Sequence, residues 1–213
     1  MSKRPVVLVV MDGVGISDSE FGNAVKKAYK PTLDNLWENS PHTEIKAHGL
    51  AVGLPTDDDM GNSEVGHNAL GCGQIYSQGA KLVNENIETG EIFKTETWSG
   101  LVNNCKDGKM HFLGLLSDGN VHSHINHLKA LIKKAKEDGV KEVRVHALLD
   151  GRDVPETSAL TYVDDIEAYM AELNDDSFHA CIASGGGRMT ITMDRYEANW
   201  AMVEQGWHVR SEE

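Results

Sequence analysis

Apolar positions along the chain alternate between short unbroken runs and helical spacing. Val6 to Met11 is a continuous apolar run closed by Asp12-Gly13, the pattern of a strand covered on both faces. Thr32 to Glu38, with Pro31 near its start, predicts a short helix, and Thr43 to Ala47 a possible strand. Helical patterns follow at Lys81 to Glu88 and Glu96 to Asn104. A regular β/α rhythm then begins, with strands expected at Met110 to Leu116, Glu142 to Leu149 and Ala180 to Ser184. The intervening and following helices are expected at Ile125 to Glu137, Ala159 to Leu173 with Ser158 as N-cap, and Tyr196 to Gln205. Such alternation predicts an α/β fold with parallel strands joined by right-handed crossovers. There is no internal repeat or low-complexity linker, and a domain change is expected near Tyr76 to Gly79.

Composition narrows the classes of function. A chain of 213 residues has room for one large or two small domains, and 40% hydrophobic with 25% charged residues is ordinary for a globular protein. A formal charge of −13 argues against a nucleic-acid surface, which needs clustered Lys and Arg, so an anionic substrate must be held by local arginines or a metal. No signal-like or membrane-spanning run is present, which gives the expectation of a cytoplasmic protein with no membrane partner. Cys72, Cys105 and Cys181 form no C-x-x-C pair and are expected to be buried thiols.

The segment DDMGNSEVGHNALGCG, Asp58 to Gly73, carries the first candidate chemistry. Gly61 and Asn62 allow a tight bend before Ser63, and the unpaired N–H groups of a helix start favour an oxyanion there. Ser63 is therefore a candidate nucleophile; the plainer alternative is that Asn62 or Ser63 merely caps a helix.

The other polar motifs fall after the predicted strands, the edge where open α/β sheets bind ligands. They are SDGNVHSHINHL with His122, His124 and His127, DGRDVPETSA with Arg152 and Asp153, and SGGGRMTITMDRY with Arg188 and Arg195. The histidines are either a metal site or local hydrogen-bonding groups at a helix start, and a catalytic or substrate-contacting role for one of them is favoured. Arg152 and Asp153 are either a surface ion pair or ligand contacts, while Gly185 to Gly187 would let backbone approach a ligand beside Arg188. Asp12 is either a turn residue or a metal ligand held at the end of a buried strand, where a divalent ion shared with Ser63 would lower the hydroxyl pKa.

Together and in this order, VVLVVMDGVG and the four motifs above resemble the cofactor-independent (2,3-bisphosphoglycerate-independent) phosphoglycerate mutases, from about Val6 to Val209. The resemblance implies part of an alkaline phosphatase-like domain, residues 1–77, followed by part of an inserted α/β phosphotransferase domain, residues 78–213. It implies interconversion of 3-phosphoglycerate and 2-phosphoglycerate through a phosphoserine, with two divalent ions, manganese or similar, and no 2,3-bisphosphoglycerate. Ser63 would be the nucleophile, Asp12 and Ser63 metal ligands, and His122, Arg152, Asp153, Arg188 and Arg195 substrate contacts, with His124 and His127 structural. Members of the family are more than twice as long, so the chain is expected to be an amino-terminal portion, inactive alone, of a glycolytic isomerase that is a monomer when full length. The alternatives are another metal-dependent phosphomutase or phosphatase of the superfamily, and a non-catalytic truncated fragment. An unrelated sugar-binding or nucleotide-binding α/β domain is disfavoured because no G-x-G-x-x-G follows the first apolar run.

Overall fold

The computed structural model describes residues 4–191 and 197–211, and the chain divides into two compact units, Met1–Lys46 and Ala47–Glu213. In the first unit, α1 (Ala24–Lys27) is capped by Asn23, whose side chain accepts the Lys26 N–H at 3.0 Å. The helix α2 (Pro31–Asn39) starts on Pro31, where the missing N–H has no helical partner to lose. Both expected strands in this region are absent. Val6 to Met11 is irregular and exposed, Val6 at 94%, and residues 43–47 also lack strand structure. A strand exists only through its neighbours, and among the described residues no strand pairs with either segment, so β propensity has no ladder to join.

The second unit opens with a single 3₁₀ turn, Gly49–Val52, then α3 (Ser63–Cys72), α4 (Ala80–Glu88) and α5 (Glu96–Asn104). Val52, Leu54 and Val65 form a small apolar cluster here, closed by the buried amide of Gln78. Its Nε2 donates to the carbonyls of Val52 at 2.7 Å and Val65 at 3.1 Å, and its Oε1 accepts from Asn68 at 3.1 Å. One amide thus satisfies buried main-chain groups from the 3₁₀ turn and from α3.

The alternating series follows, with β1 (Met110–Leu116), α6 (Ile125–Glu137), β2 (Glu142–Leu149) and α7 (Ala159–Leu173) at their expected bounds, then β3 (His179–Gly187), longer than expected, α8 (Arg188–Ile191), where no helix was expected, and α9 (Trp200–Ser211). The sheet has order β1-β2-β3, both pairs parallel, with one register irregularity between Val145 and His146. Val143, Val145 and Ala147 are buried at every second position of β2 and meet Ile132 and Ala135 of α6 and Ile166 and Met170 of α7. Each such valine or isoleucine contributes roughly 1.5–3 kcal/mol on burial. The opposite face of the sheet carries His111 and His146, stacked with centroids 5.2 Å apart, and His146 Nδ1 lies 2.7 Å from Ser184 Oγ.

Several local expectations change. β3 runs on through Gly185, Gly186 and Gly187, which pair with Ala147, Leu148 and Leu149, so these glycines are strand and not a ligand loop. Ser158 precedes α7 but makes no side-chain cap; its hydroxyl donates to the Pro155 carbonyl at 2.7 Å. Tyr196, the expected start of the last helix, lies outside the described residues, and α9 starts at Trp200. Cys72 is exposed and Cys105 and Cys181 are half-buried, so none is the core thiol expected. Among the described residues no helix is long and apolar enough to cross a membrane.

Candidate active site

Ser63 is the first residue of α3. Asn62 is its cap, extended at φ −138°, ψ 171°, with its side-chain oxygen accepting the Val65 N–H at 3.1 Å. The turn before it is tight: a Cβ on Gly61 would stand 2.1 Å from the Ala47 carbonyl oxygen, so only glycine lets the two backbones pass. His67, one turn on, places Nδ1 2.7 Å from the Ser63 carbonyl oxygen and 3.1 Å from Ser63 Oγ. A carbonyl can only accept, so this nitrogen carries the hydrogen and has no lone pair to take the serine proton. His67 therefore closes the first turn and is not the base in this arrangement.

A cavity of about 280 Å³ lies beside this helix start, lined by Glu64 and Val83 together with Asn120, His122 and His127. His122 is exposed and also lines a second cavity of about 270 Å³ with Leu113, Leu128 and His124. Its two neighbours are occupied locally. His124 caps α6 by accepting the Asn126 N–H, and His127 Nε2 donates to Asn84 Oδ1. Burial and then the charge of His124 lower the pKa of His127, favouring its neutral form. The His124 and His127 rings stand 5.6 Å apart, and among the described residues no three His, Cys, Asp or Glu side chains gather as a metal site.

A second cluster forms at the carboxyl edge of the sheet. Arg188, 2% exposed, places Nη1 2.9 Å from Asp150 Oδ1 and 2.8 Å from Asp153 Oδ2. Asp153 is thus paired with Arg188 and not with its neighbour Arg152, whose side chain is exposed. Asp150 also accepts from Ser117 Oγ at 2.6 Å and from the N–H groups of Arg152 at 3.1 Å and Asp153 at 3.0 Å. Burial pushes the Asp150 pKa up, but these donors outweigh it and hold the carboxyl below its usual range. The guanidinium is raised in turn, its two carboxylates outweighing burial. Arg195 lies outside the described residues.

The two clusters share the loop after β1. Gly119 abuts Asp153, where a Cβ would fall 2.9 Å from that residue's own, and Asn120 reaches the carboxylate of Asp59 in the loop ahead of Ser63. Asp12 belongs to the first unit, in a turn with Gly13 at φ 75°. Sequence reasoning passed over Asp59, Gln78, Ser117, Asn120 and Asp150. A usable signal existed for Asp150, since it is a carboxylate closing an apolar strand, the same feature that singled out Asp12.

A serine at a glycine-tight helix start, followed by a parallel β/α series with an arginine–carboxylate cluster at its carboxyl edge, defines an α/β protein. The family model described as BPG-independent PGAM N-terminus matches residues 83–213, and the chain belongs to the BPG-independent phosphoglycerate mutase family. It is 54% identical to a probable 2,3-bisphosphoglycerate-independent phosphoglycerate mutase of Leptospira interrogans, covering 98% of this chain and 39% of that protein. It is 50% identical to the mutase of Trypanosoma brucei brucei, covering 99% of this chain and 39% of that one. A crystal structure of Leishmania mexicana phosphoglycerate mutase at low cobalt concentration matches with a TM-score of 0.81 at 49% identity, over 93% of this chain and 37% of that one. The chain therefore spans about two fifths of the length of these relatives.

Proposed function

We propose that these residues are the amino-terminal part of a glycolytic, cytoplasmic mutase that interconverts 3-phosphoglycerate and 2-phosphoglycerate through a phosphoserine on Ser63. The observation that carries the proposal is the placement of Ser63 at the start of α3, whose next residue, Glu64, lines a cavity with His122. Ser63 Oγ gives up its proton and attacks phosphorus, the bond from phosphorus to the substrate oxygen breaks and that oxygen takes up a proton, and the freed glycerate takes the phosphoryl group back on its other hydroxyl, whose proton returns to Ser63 Oγ. The positive end of α3 offsets the charge of the phosphoserine without a lysine. Arg152, Asp153, Arg188 and Arg195 hold the glycerate between the two transfers and His122 contacts the phosphoryl group, so 2,3-bisphosphoglycerate is not needed. In this reading residues 1–77 belong to the metal-binding phosphatase-like domain and 78–213 to the phosphotransferase domain, in a protein that is monomeric when full length.

Two divalent ions, manganese or similar, belong to the same proposal, with Asp12 and Ser63 as this chain's donors. Two donors fall short of a filled shell, and among the described residues no larger donor group gathers, so the ions depend on ligands beyond these residues. The test is mass spectrometry of the full-length polypeptide containing these residues, quenched during turnover. A phosphoryl group on Ser63, lost together with activity in Ser63→Ala, is the expected result; phosphate found consistently on another residue overturns it.

A further inference from the structure

One buried carboxylate collects donors from the ends of all three strands. Ser117 follows β1, Asp150 follows β2 and gathers the N–H groups of its own loop, and Arg188 follows β3. We infer that Asp150 is a positioning residue that fixes which edge of Arg188 is offered to the substrate anion, an inference that rests on the anion-binding reading of Arg188 above.

The geometry is one-sided. Both carboxylates take the same nitrogen, Nη1, at 2.9 and 2.8 Å, while Nε is buried and has no hydrogen-bond partner among the described residues. Buried N–H groups are rarely left unpaired, so the orphan Nε calls for an acceptor, here assigned to the substrate anion. The edge carrying Nε can present two parallel donors to a carboxylate or phosphate, provided the plane of the group is held. Asp150 can hold it because its own plane is locked: Ser117 Oγ occupies Oδ2 at 2.6 Å, and two backbone N–H groups share Oδ1 with Arg188. Its side chain is 1% exposed, so it acts on the substrate through Arg188 and not by contact.

Charge alone argues the other way, which makes the inference testable. Asp150, Asp153 and Arg188 sum to one negative charge, so neutralising Asp150 without loss of orientation should strengthen anion binding. In the full-length polypeptide containing these residues, Asp150→Asn is expected to raise KM for 3-phosphoglycerate about ten- to a hundredfold while kcat stays within about threefold. Arg188→Lys should raise KM comparably, and the double variant should be no worse than Arg188→Lys alone, because the aspartate acts only through the arginine. If Arg188→Lys leaves KM unchanged, the anion-binding reading itself fails. If Arg188→Lys raises KM but Asp150→Asn leaves it unchanged or lowers it, or if the two effects add, the positioning role is overturned. Should Asp150→Asn fail to fold, Ser117→Ala keeps the charge and loosens the plane; a rise in KM of about threefold with an unchanged unfolding midpoint supports the inference, and an unchanged KM overturns it.

Discussion

The side-chain amide of Asn120 donates to the carboxylate of Asp59, joining the loop that precedes Ser63 to the loop that carries His122. Thr56 adds two more donors to the same carboxylate, from its N–H at 2.6 Å and its hydroxyl at 2.8 Å. Burial raises the Asp59 pKa, but Asn120 and Thr56 outweigh it, and the group sits below the usual carboxylate range. Asn120 itself is held at φ 59°, a left-handed conformation that Asn and Asp tolerate better than other side chains.

Asn120→Asp preserves the backbone preference and reverses the interaction, setting one carboxylate against another. Stability at pH 7 is expected to fall by about 1–3 kcal/mol, with a smaller loss near pH 4, where one carboxyl takes up a proton. Urea unfolding at the two pH values measures this, and an equal loss at both would mean that the donor matters and the charge does not.

Acid should act through Asp150. Its folded pKa lies below the unfolded value of about 3.9, so its contribution is complete above about pH 4 and disappears as pH falls through the folded value. Asp150→Asn should be less stable near neutrality and should flatten the acid limb of the stability curve below about pH 4. An unchanged acid limb in the variant would remove Asp150 from the explanation.

Gly61→Ala forces a Cβ to 2.1 Å from a backbone oxygen that no rotamer change can relieve. A loss of about 1–3 kcal/mol is expected, together with reduced phosphorylation of Ser63 in the full-length polypeptide. Normal stability and normal phosphoserine yield would show that the turn is not held closed.

Gln78→Leu keeps the bulk but leaves the Val52 and Val65 carbonyls without the amide. The expected cost is about 2–4 kcal/mol, against about 1 kcal/mol for Asn68→Ala, which removes only the outer partner of the same amide. Equal costs would place the weight of the clamp on Asn68.

The chain by itself is expected neither to convert 3-phosphoglycerate nor to bind manganese tightly, since Asp12 and Ser63 are its only proposed metal donors. Calorimetric titration with manganese and a coupled mutase assay on the purified 213-residue chain measure both. Metal-dependent turnover, with host enzyme excluded, would falsify this and point to donors such as His122.

Where local patterning and tertiary pairing agree, the sequence was readable nearly to the residue. The valines of β2 alternate, its neighbours carry clear helical spacing, and the bounds of β1, α6, β2 and α7 match the expected ones. Val6 to Met11 shows the opposite case, because apolar character without a partner strand says only what a segment needs. The candidate site was legible where a residue type advertises its chemistry, as Ser63 and Arg188 do. Asp59, Asn120 and Gln78 were not, because their importance lies in partners 61, 26 and 13 residues away, which no local pattern encodes. The pairing of Arg188 with Asp150 and Asp153 in preference to an Arg152–Asp153 pair belongs to the same class, since the parallel register decides which strand ends meet.

The exposed run from Val6 to Met11 bears on how the protein behaves in a tube. Six successive valine, leucine and methionine residues carry no charge, and all stand at least 46% open to solvent. Short uncharged segments of this kind are templates for intermolecular strand addition. Colloidal behaviour is then governed by concentration more than by folding free energy: light scattering should grow steeply as the chain is concentrated, and a lysine in place of Leu8 should suppress it while leaving the unfolding of the β/α series unchanged.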